Sequence, residues 1–264
     1  MSEHSLDKMK TKLADDGVAN YWFNTEANQT HLNPLLGQRI RLEFSGQIFC
    51  THCGKKTKTS FSQGYCYPCA QKLAQCDICI VKPELCHFAK GTCREPEWAA
   101  KHCHIDHAVY LSNTSSIKVG ITRRHQILNR WIDQGATQGI EIAVVPERLK
   151  AGLIEVAIAE HVGDKTNWRK MLSSNAEPLD LAAMRTTLLI QLPANVPCDI
   201  ASSTPVSIKY PVLAFPTKIT SLNAEKTPTI EGCLMGLKGQ YLILDCGVIN
   251  LRKYTGYEAR LTSV

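Results

Sequence analysis

Long hydrophobic runs are missing from this chain. No stretch among its 264 residues approaches the roughly 20 apolar residues that a membrane-spanning helix requires. The first 17 residues, MSEHSLDKMKTKLADDG, are polar and of mixed charge, without the apolar core of a secretory leader. Together these absences point to a soluble cytoplasmic protein with no membrane partner. Charge of one sign is also in short supply, since 30 Lys and Arg face 24 Asp and Glu. A formal charge of +6 is weak evidence for a nucleic-acid partner. With 44% hydrophobic and 20% charged residues, the composition is that of an ordinary globular protein of two or three compact units.

What is abundant is cysteine, and it is concentrated. Nine of the 12 cysteines fall between Cys50 and Cys103. Cytoplasmic thiols stay reduced, so clustering argues for metal rather than disulfides. Cys50 and Cys53 form one Cys-x-x-Cys turn, and Cys66 and Cys69 form another after twelve intervening residues. Each turn presents two thiolates to one ion, so the pair completes a tetrahedral structural zinc site of zinc-ribbon type. Such a site supplies folding energy to a segment with few apolar residues of its own.

A second metal site opens with Cys76 and Cys79. Its other two ligands must come from Cys86, His87, Cys93, Cys103, His104 and His107. The favoured set is Cys76, Cys79, Cys86 and Cys93, with Cys103 and His107 in reserve. Four thiolates also suit an iron-sulfur centre, but zinc is preferred. The expected cofactors are therefore two structural Zn²⁺. Two such sites would bring the net charge to about +2, so local clusters matter more than the total. Lys55, Lys56 and Lys58 in the ribbon loop, and Arg123 and Arg124 further on, are where an anion such as nucleic acid could dock; a solvated loop and a helix start explain them equally well.

Periodicity orders the rest. Ile40, Leu42 and Phe44 alternate with Arg39, Arg41 and Glu43, the pattern of a half-buried strand. Strands are expected over 108–111 and 117–121, then a helix with Ile127, Leu128, Trp131 and Ile132 on one face, ending near Gly135. A strand over 140–145 follows, then a second helix with Leu153, Ile154, Ala157, Ile158 and Val162 as its stripe. His161 falls within that stripe and reads as a core histidine. A further helix is expected over 179–192, stopped by Pro193. The proline-punctuated segment 195–217 reads as a linker or extended wrap, and strands follow over 230–237, 241–245 and 248–251. The strand over 35–44 could join them in one small antiparallel sheet.

The run from His107 to Arg123, with Ala108-Val109-Tyr110 and Lys118-Val119-Gly120, resembles the two motifs of the GIY-YIG nuclease superfamily in a short-hairpin, Lys-Val-Gly variant. The following helix with Asn129-Arg130-Trp131 matches the helix arginine, and Glu155 the metal-binding glutamate. The strand-strand-helix-strand-helix order is also that of the superfamily, over about residues 107–175. The zinc-rich lead-in, Lys118–Arg123, Arg130–Ala136 and Asp164–Trp168 further resemble a bacterial family of unknown function, over most of the chain.

The resemblance implies an α+β fold with an N-terminal arm and strand (1–48), a cysteine-rich zinc-binding module (49–106), a GIY-YIG-like domain (107–194), and a linker with a small β domain (195–264). It also implies a candidate endonuclease site. Tyr110 would activate water, Arg130 would stabilise charge on the scissile phosphate, and Glu155 would hold Mg²⁺ or Mn²⁺. Lys118 stands where the second tyrosine would be, and Gln134 where a histidine usually follows the arginine. Asn167 lies where such sites often end. Lysine touches phosphate but is a poor general base at neutral pH. Two other readings stand beside cleavage: a non-catalytic nucleic-acid or ribosome-associated binding module, and a zinc-ribbon interaction scaffold.

Overall fold

A computed structural model describes residues 5–162, 167–201 and 204–264, so Asp164, Lys165 and Thr166 of the motif before Trp168 lie outside the described residues. Two compact units emerge. One comprises Met1–Gln71, Leu172–Ser174 and Lys209–Val264, the other Lys72–Met171 and Asn175–Ile208.

The first unit begins with an antiparallel meander of β1 (Lys10–Leu13), β2 (Ala19–Asn24) and β3 (Gln29–His31). The long strand β4 (Arg39–Phe49) buries Ile40, Leu42 and Phe44 as their alternation requires. At its end the chain turns through the first cysteines, pairs β5 (Lys56–Thr57) back onto β4, and enters a short helix α1 (Tyr67–Lys72).

The second unit opens with four single-turn 3-10 helices, Ala74–Cys76, Ile78–Ile80, Pro83–Leu85 and Phe88–Lys90, before α2 (Pro96–His102). Then come β6 (His107–Asn113), β7 (Ile117–Arg123), α3 (Ile127–Asp133), β8 (Gln138–Val145) and α4 (Arg148–Ala159). After these lie α5 (Trp168–Ser173), α6 (Leu181–Leu188), β9 (Asp199–Ile200) and β10 (Val206–Ser207). The sheet order is β10-β8-β6-β7, with β9 also on β8. One face of this sheet carries Val109, Leu111, Val119, Ile121, Ile140 and Ile142, packed against Ala151, Ile154 and Ile158 of α4 and Leu181 and Leu188 of α6.

The apolar stripes differ from expectation in instructive ways. On α3, Trp131 and Ile132 are buried but Leu128 is exposed. On α4, Leu153 is exposed, whereas Ala151 and Gly152 are buried, because the Pro83–Leu85 turn sits on this helix as well as the sheet. A Cβ on Gly152 would meet Pro83 Cβ at 2.5 Å, so only glycine permits that approach. His161 is exposed rather than in the core, since α4 ends two residues earlier. The segment after 195 is more than a wrap: β9 and β10 extend the sheet along β8.

The chain then returns to the first unit with β11 (Thr229–Lys238), β12 (Tyr241–Leu244), β13 (Gly247–Asn250) and β14 (Tyr257–Ser263). The order is β13-β12-β11-β4-β14, so β4 does join the C-terminal sheet, between β11 and β14. The whole is mixed α+β with several antiparallel sheets.

Candidate functional site

In the first unit Cys50, Cys53, Cys66 and Cys69 place their sulfurs within 4.8 Å of one another, with Cys53 and Cys66 at 3.7 Å. Tetrahedral zinc with bonds of 2.3 Å has a sulfur-sulfur edge of about 3.8 Å. Turn geometry makes this possible. Gly54 N–H donates to Cys50 O at 2.8 Å with φ +69, and Gly64, at φ +127, lies so close to Thr51 that a Cβ would stand 2.8 Å from its methyl. Burial alone would raise the Cys50 thiol, but the backbone N–H groups of Cys53, Cys66 and His52 outweigh it and bring Cys50 down to about 6. Burial and the neighbouring sulfurs push Cys69 up instead. The four thiols are arranged to hold one zinc ion.

In the second unit Cys76, Cys79, Cys86 and Cys93 lie in or beside the 3-10 turns. Asp77, Cys79 and His87 lie within 4.8 Å of one another. Asp77 is held by Arg94 Nε at 2.7 Å and lies 3.4 Å from His87 Nε2, while His87 Nδ1 is 2.8 Å from Thr92 Oγ1.

The same unit carries the other candidates. Residues paired across an antiparallel ladder share a face, and the pairs Tyr110↔Gly120 and Ser112↔Lys118 therefore put Tyr110 and Lys118 on one face of the hairpin. That face is opposite the core cluster. The Tyr110 ring is fully buried, edge-on to Trp131 at 5.9 Å, and its hydroxyl donates to Gln134 Oε1 at 3.1 Å. Arg130 is hydrogen-bonded to the same tyrosine. Burial raises the Tyr110 pKa against the pull of Arg130 and Gln134. For Arg130, burial works against the charge, yet Tyr110, Asp133 and Glu155 more than restore it.

Glu155 completes the group from α4, which packs against β6 and β7. Burial raises its pKa, opposed by Lys118, Arg148 and Arg130 and reinforced by Glu84. Arg148 and Glu84 were missed from the sequence as neighbours of this glutamate. Arg148 opens α4 and donates from Nη2 to Ile80 O at 2.6 Å, while its buried Nε has no partner. Glu84 arrives with the turn seated on Gly152. Glu84 has no local sequence signal, because it reaches Glu155 only through the docking of that turn, whereas Arg148 stands seven residues before Glu155 on α4 and so on the same side of that helix.

Three cations, Lys118, Arg130 and Arg148, thus act on the Glu155 carboxylate against the repulsion of Glu84, near β7 at the edge of the sheet. The donor set fits an anion better than Mg²⁺ or Mn²⁺, which the excess of positive charge would repel. Tyr110 cannot touch a ligand from its buried position; it holds Arg130 and Gln134 in place.

The other candidates lie elsewhere. Asn167 caps α5: its Oδ1 accepts from Lys170 N at 3.1 Å, and its backbone N–H donates to Ser115 Oγ at 3.1 Å. Arg123, on the core face of β7, faces Cys103 and His107. Arg124 pairs with Glu141 at 3.2 Å. Lys55, Lys56 and Lys58 are exposed in the first unit. Among the described residues no helix is long and apolar enough to cross a membrane.

A family model described as "Protein of unknown function (DUF2797)" matches residues 37–259. No curated protein and no solved structure matches the chain.

Proposed function

Starting from the chain's membership of the DUF2797 family, we propose that it is a nucleic-acid-directed zinc protein whose second unit, GIY-YIG-like in element order, binds a phosphodiester at the edge of its sheet. The observation that carries this reading is that Lys118, Arg130 and Arg148 all act electrostatically on one half-buried carboxylate, with Arg130 hydrogen-bonded to the buried Tyr110. An arginine so held keeps its planar fork pre-organised for a phosphate, and a lysine adds a mobile point charge. Glu155 and Glu84 lower the net charge, so affinity for any single phosphate stays modest and a polymer with many phosphates is favoured. The zinc ion of Cys50, Cys53, Cys66 and Cys69 is structural in this reading.

Cleavage is a second reading, supported by the presence of a tyrosine, an arginine and a glutamate in one place. One experiment separates the two. Anisotropy titrations with single-stranded DNA, duplex DNA and RNA are run across salt, and the same mixtures are assayed for products with and without Mg²⁺. Binding should weaken steeply as salt rises, and Arg130→Ala should lose about tenfold in affinity, the scale of one charge-assisted contact. Affinity that does not change with salt overturns nucleic-acid binding. Mg²⁺-dependent products that vanish in Glu155→Gln establish the nuclease instead.

A further inference from the structure

Between the 3-10 turns and α2 lies a cavity of about 20 Å³ whose wall includes Cys79, Cys86, Cys93 and Cys103 as well as Asp77 and His87. Cys76 is not in that wall. We infer that Cys79, Cys86, Cys93 and Cys103 hold a second zinc ion, with Arg148 and Arg123 as its counter-charges.

Placement is the first support. All four side chains line that one cavity, and Cys79 lies in the field of Cys86 and Cys103, as Cys103 does in that of Cys86 and Cys93; no three of the four sulfurs are within 4.8 Å of one another, so an ion taken up there draws them together. A water-sized site needs roughly 10–15 Å³. The cavity therefore has room for one ion.

Charge is the second. A tetrathiolate zinc centre carries two negative charges, formed as four thiols release four protons to solvent and bind one Zn²⁺. Arg148 faces Cys103 and Cys79, and Arg123 faces Cys103. Both guanidiniums are desolvated. Glu155 is shared between Arg148, Lys118 and Arg130, and the Arg148 Nε is buried without a partner. An anionic centre at Cys103 supplies the missing negative charge.

The rival set, Asp77 with Cys79 and His87, is already committed. Asp77 is bonded to Arg94 and accepts from Cys79 N at 3.4 Å, and both ring nitrogens of His87 have neighbours. These residues brace the turn that presents Cys79. The segment also needs a metal: it is a chain of one-turn helices, and its buried apolar side chains between 72 and 103 are Leu73, Ala74, Pro83 and Ala99. A zinc ion there ties α2 to the start of α4, where Arg148 N–H donates to Cys103 O at 2.8 Å.

The test uses the full-length zinc-loaded protein. Metal analysis should find two zinc ions per chain, falling to one in Cys103→Ser and staying at two in Cys76→Ser. Because Cys103→Ser could fail to fold, the wild-type protein is also mapped by thiol alkylation and mass spectrometry. Cys79, Cys86, Cys93 and Cys103 should react at least tenfold more slowly than Cys76 and the exposed Cys246, and a chelator should abolish the difference. Protection of Cys76 with Cys103 reactive, one zinc per chain that survives Cys103→Ser, loss of metal in His87→Ala, or iron with acid-labile sulfide each overturns the assignment.

Discussion

A Cβ built on Gly120 would stand 2.6 Å from the Tyr110 hydroxyl, so the tyrosine of β6 lies directly over the bare backbone of its cross-strand partner on β7. Gly120→Ala should therefore push the ring off Arg130 and Gln134. The expected cost is about 1–3 kcal/mol of stability, the scale of overpacking a buried site. Chemical denaturation measures it, and nucleic-acid affinity should fall together with stability. A fully stable Gly120→Ala protein would mean that the ring has slack to move.

His107 offers a pH test. It is fully buried, its Nδ1 is 2.7 Å from Ile105 O, and burial together with Arg148 and Arg123 lowers its pKa from 6.5 to about 4. Between those values the unfolded chain binds a proton that the folded chain refuses. The resulting stability is present above the unfolded pKa and is lost as pH falls from 6.5 toward 4. Its full size is about 3 kcal/mol. His107→Asn retains a donor for Ile105 but cannot titrate, so its urea midpoint should fall less than that of wild type between pH 7 and 5. Parallel curves would remove His107 as the cause.

Cys53 is exposed whereas Cys50 is buried, and this separates metal from packing at the first site. Cys53→Ser removes almost no core, so any large effect reports the ion. It should cost one equivalent of zinc and lower the denaturation midpoint by as much as chelation does, since metal binding and folding share one free energy. Equal stability of the variant with and without chelator, both matching the zinc-loaded wild type, would show the thiols to be idle.

Arg124 should matter little. Its pair with Glu141 leaves the arginine half exposed, and such pairs contribute about 0–1 kcal/mol. Arg124→Ala should change stability within that range and weaken nucleic-acid binding less than Arg130→Ala. A larger loss than at Arg130 would move the binding surface to the start of α3.

Much of this was legible wherever a residue's role is set by its chain neighbours. The alternation at Ile40, Leu42 and Phe44 marked β4, the paired Cys-x-x-Cys turns marked the first metal cluster, and Trp131 and Ile132 marked the buried face of α3. Roles set by distant packing were not legible. Glu84 reaches Glu155 because a 3-10 turn lands on Gly152, and no periodicity announces that contact, whereas Arg148 shares a side of α4 with Glu155 by helical spacing. Leu153 was misread for the same reason: the stripe assumed one buried side, and α4 has two. The spacing of Cys76 and Cys79 resembles the first site's turns, yet Cys76 sits outside the cavity wall and Cys103, far along the chain, sits in it. Nearness in sequence is a good guide to a turn and a poor guide to a cavity.

Strand β4 ends at Phe49, but the two long strands that flank it begin at Thr229 and Tyr257. During synthesis from the N-terminus, the first zinc turn therefore emerges on a strand whose main partners do not yet exist. The second unit, all of which lies between, is complete before them and can close first. Until β11 and β14 arrive, β4 has two open edges, the condition under which strands recruit the wrong partner. An ion taken up early at Cys50–Cys69 would fasten β5 to β4 and shield part of one edge while the chain waits for its remaining strands.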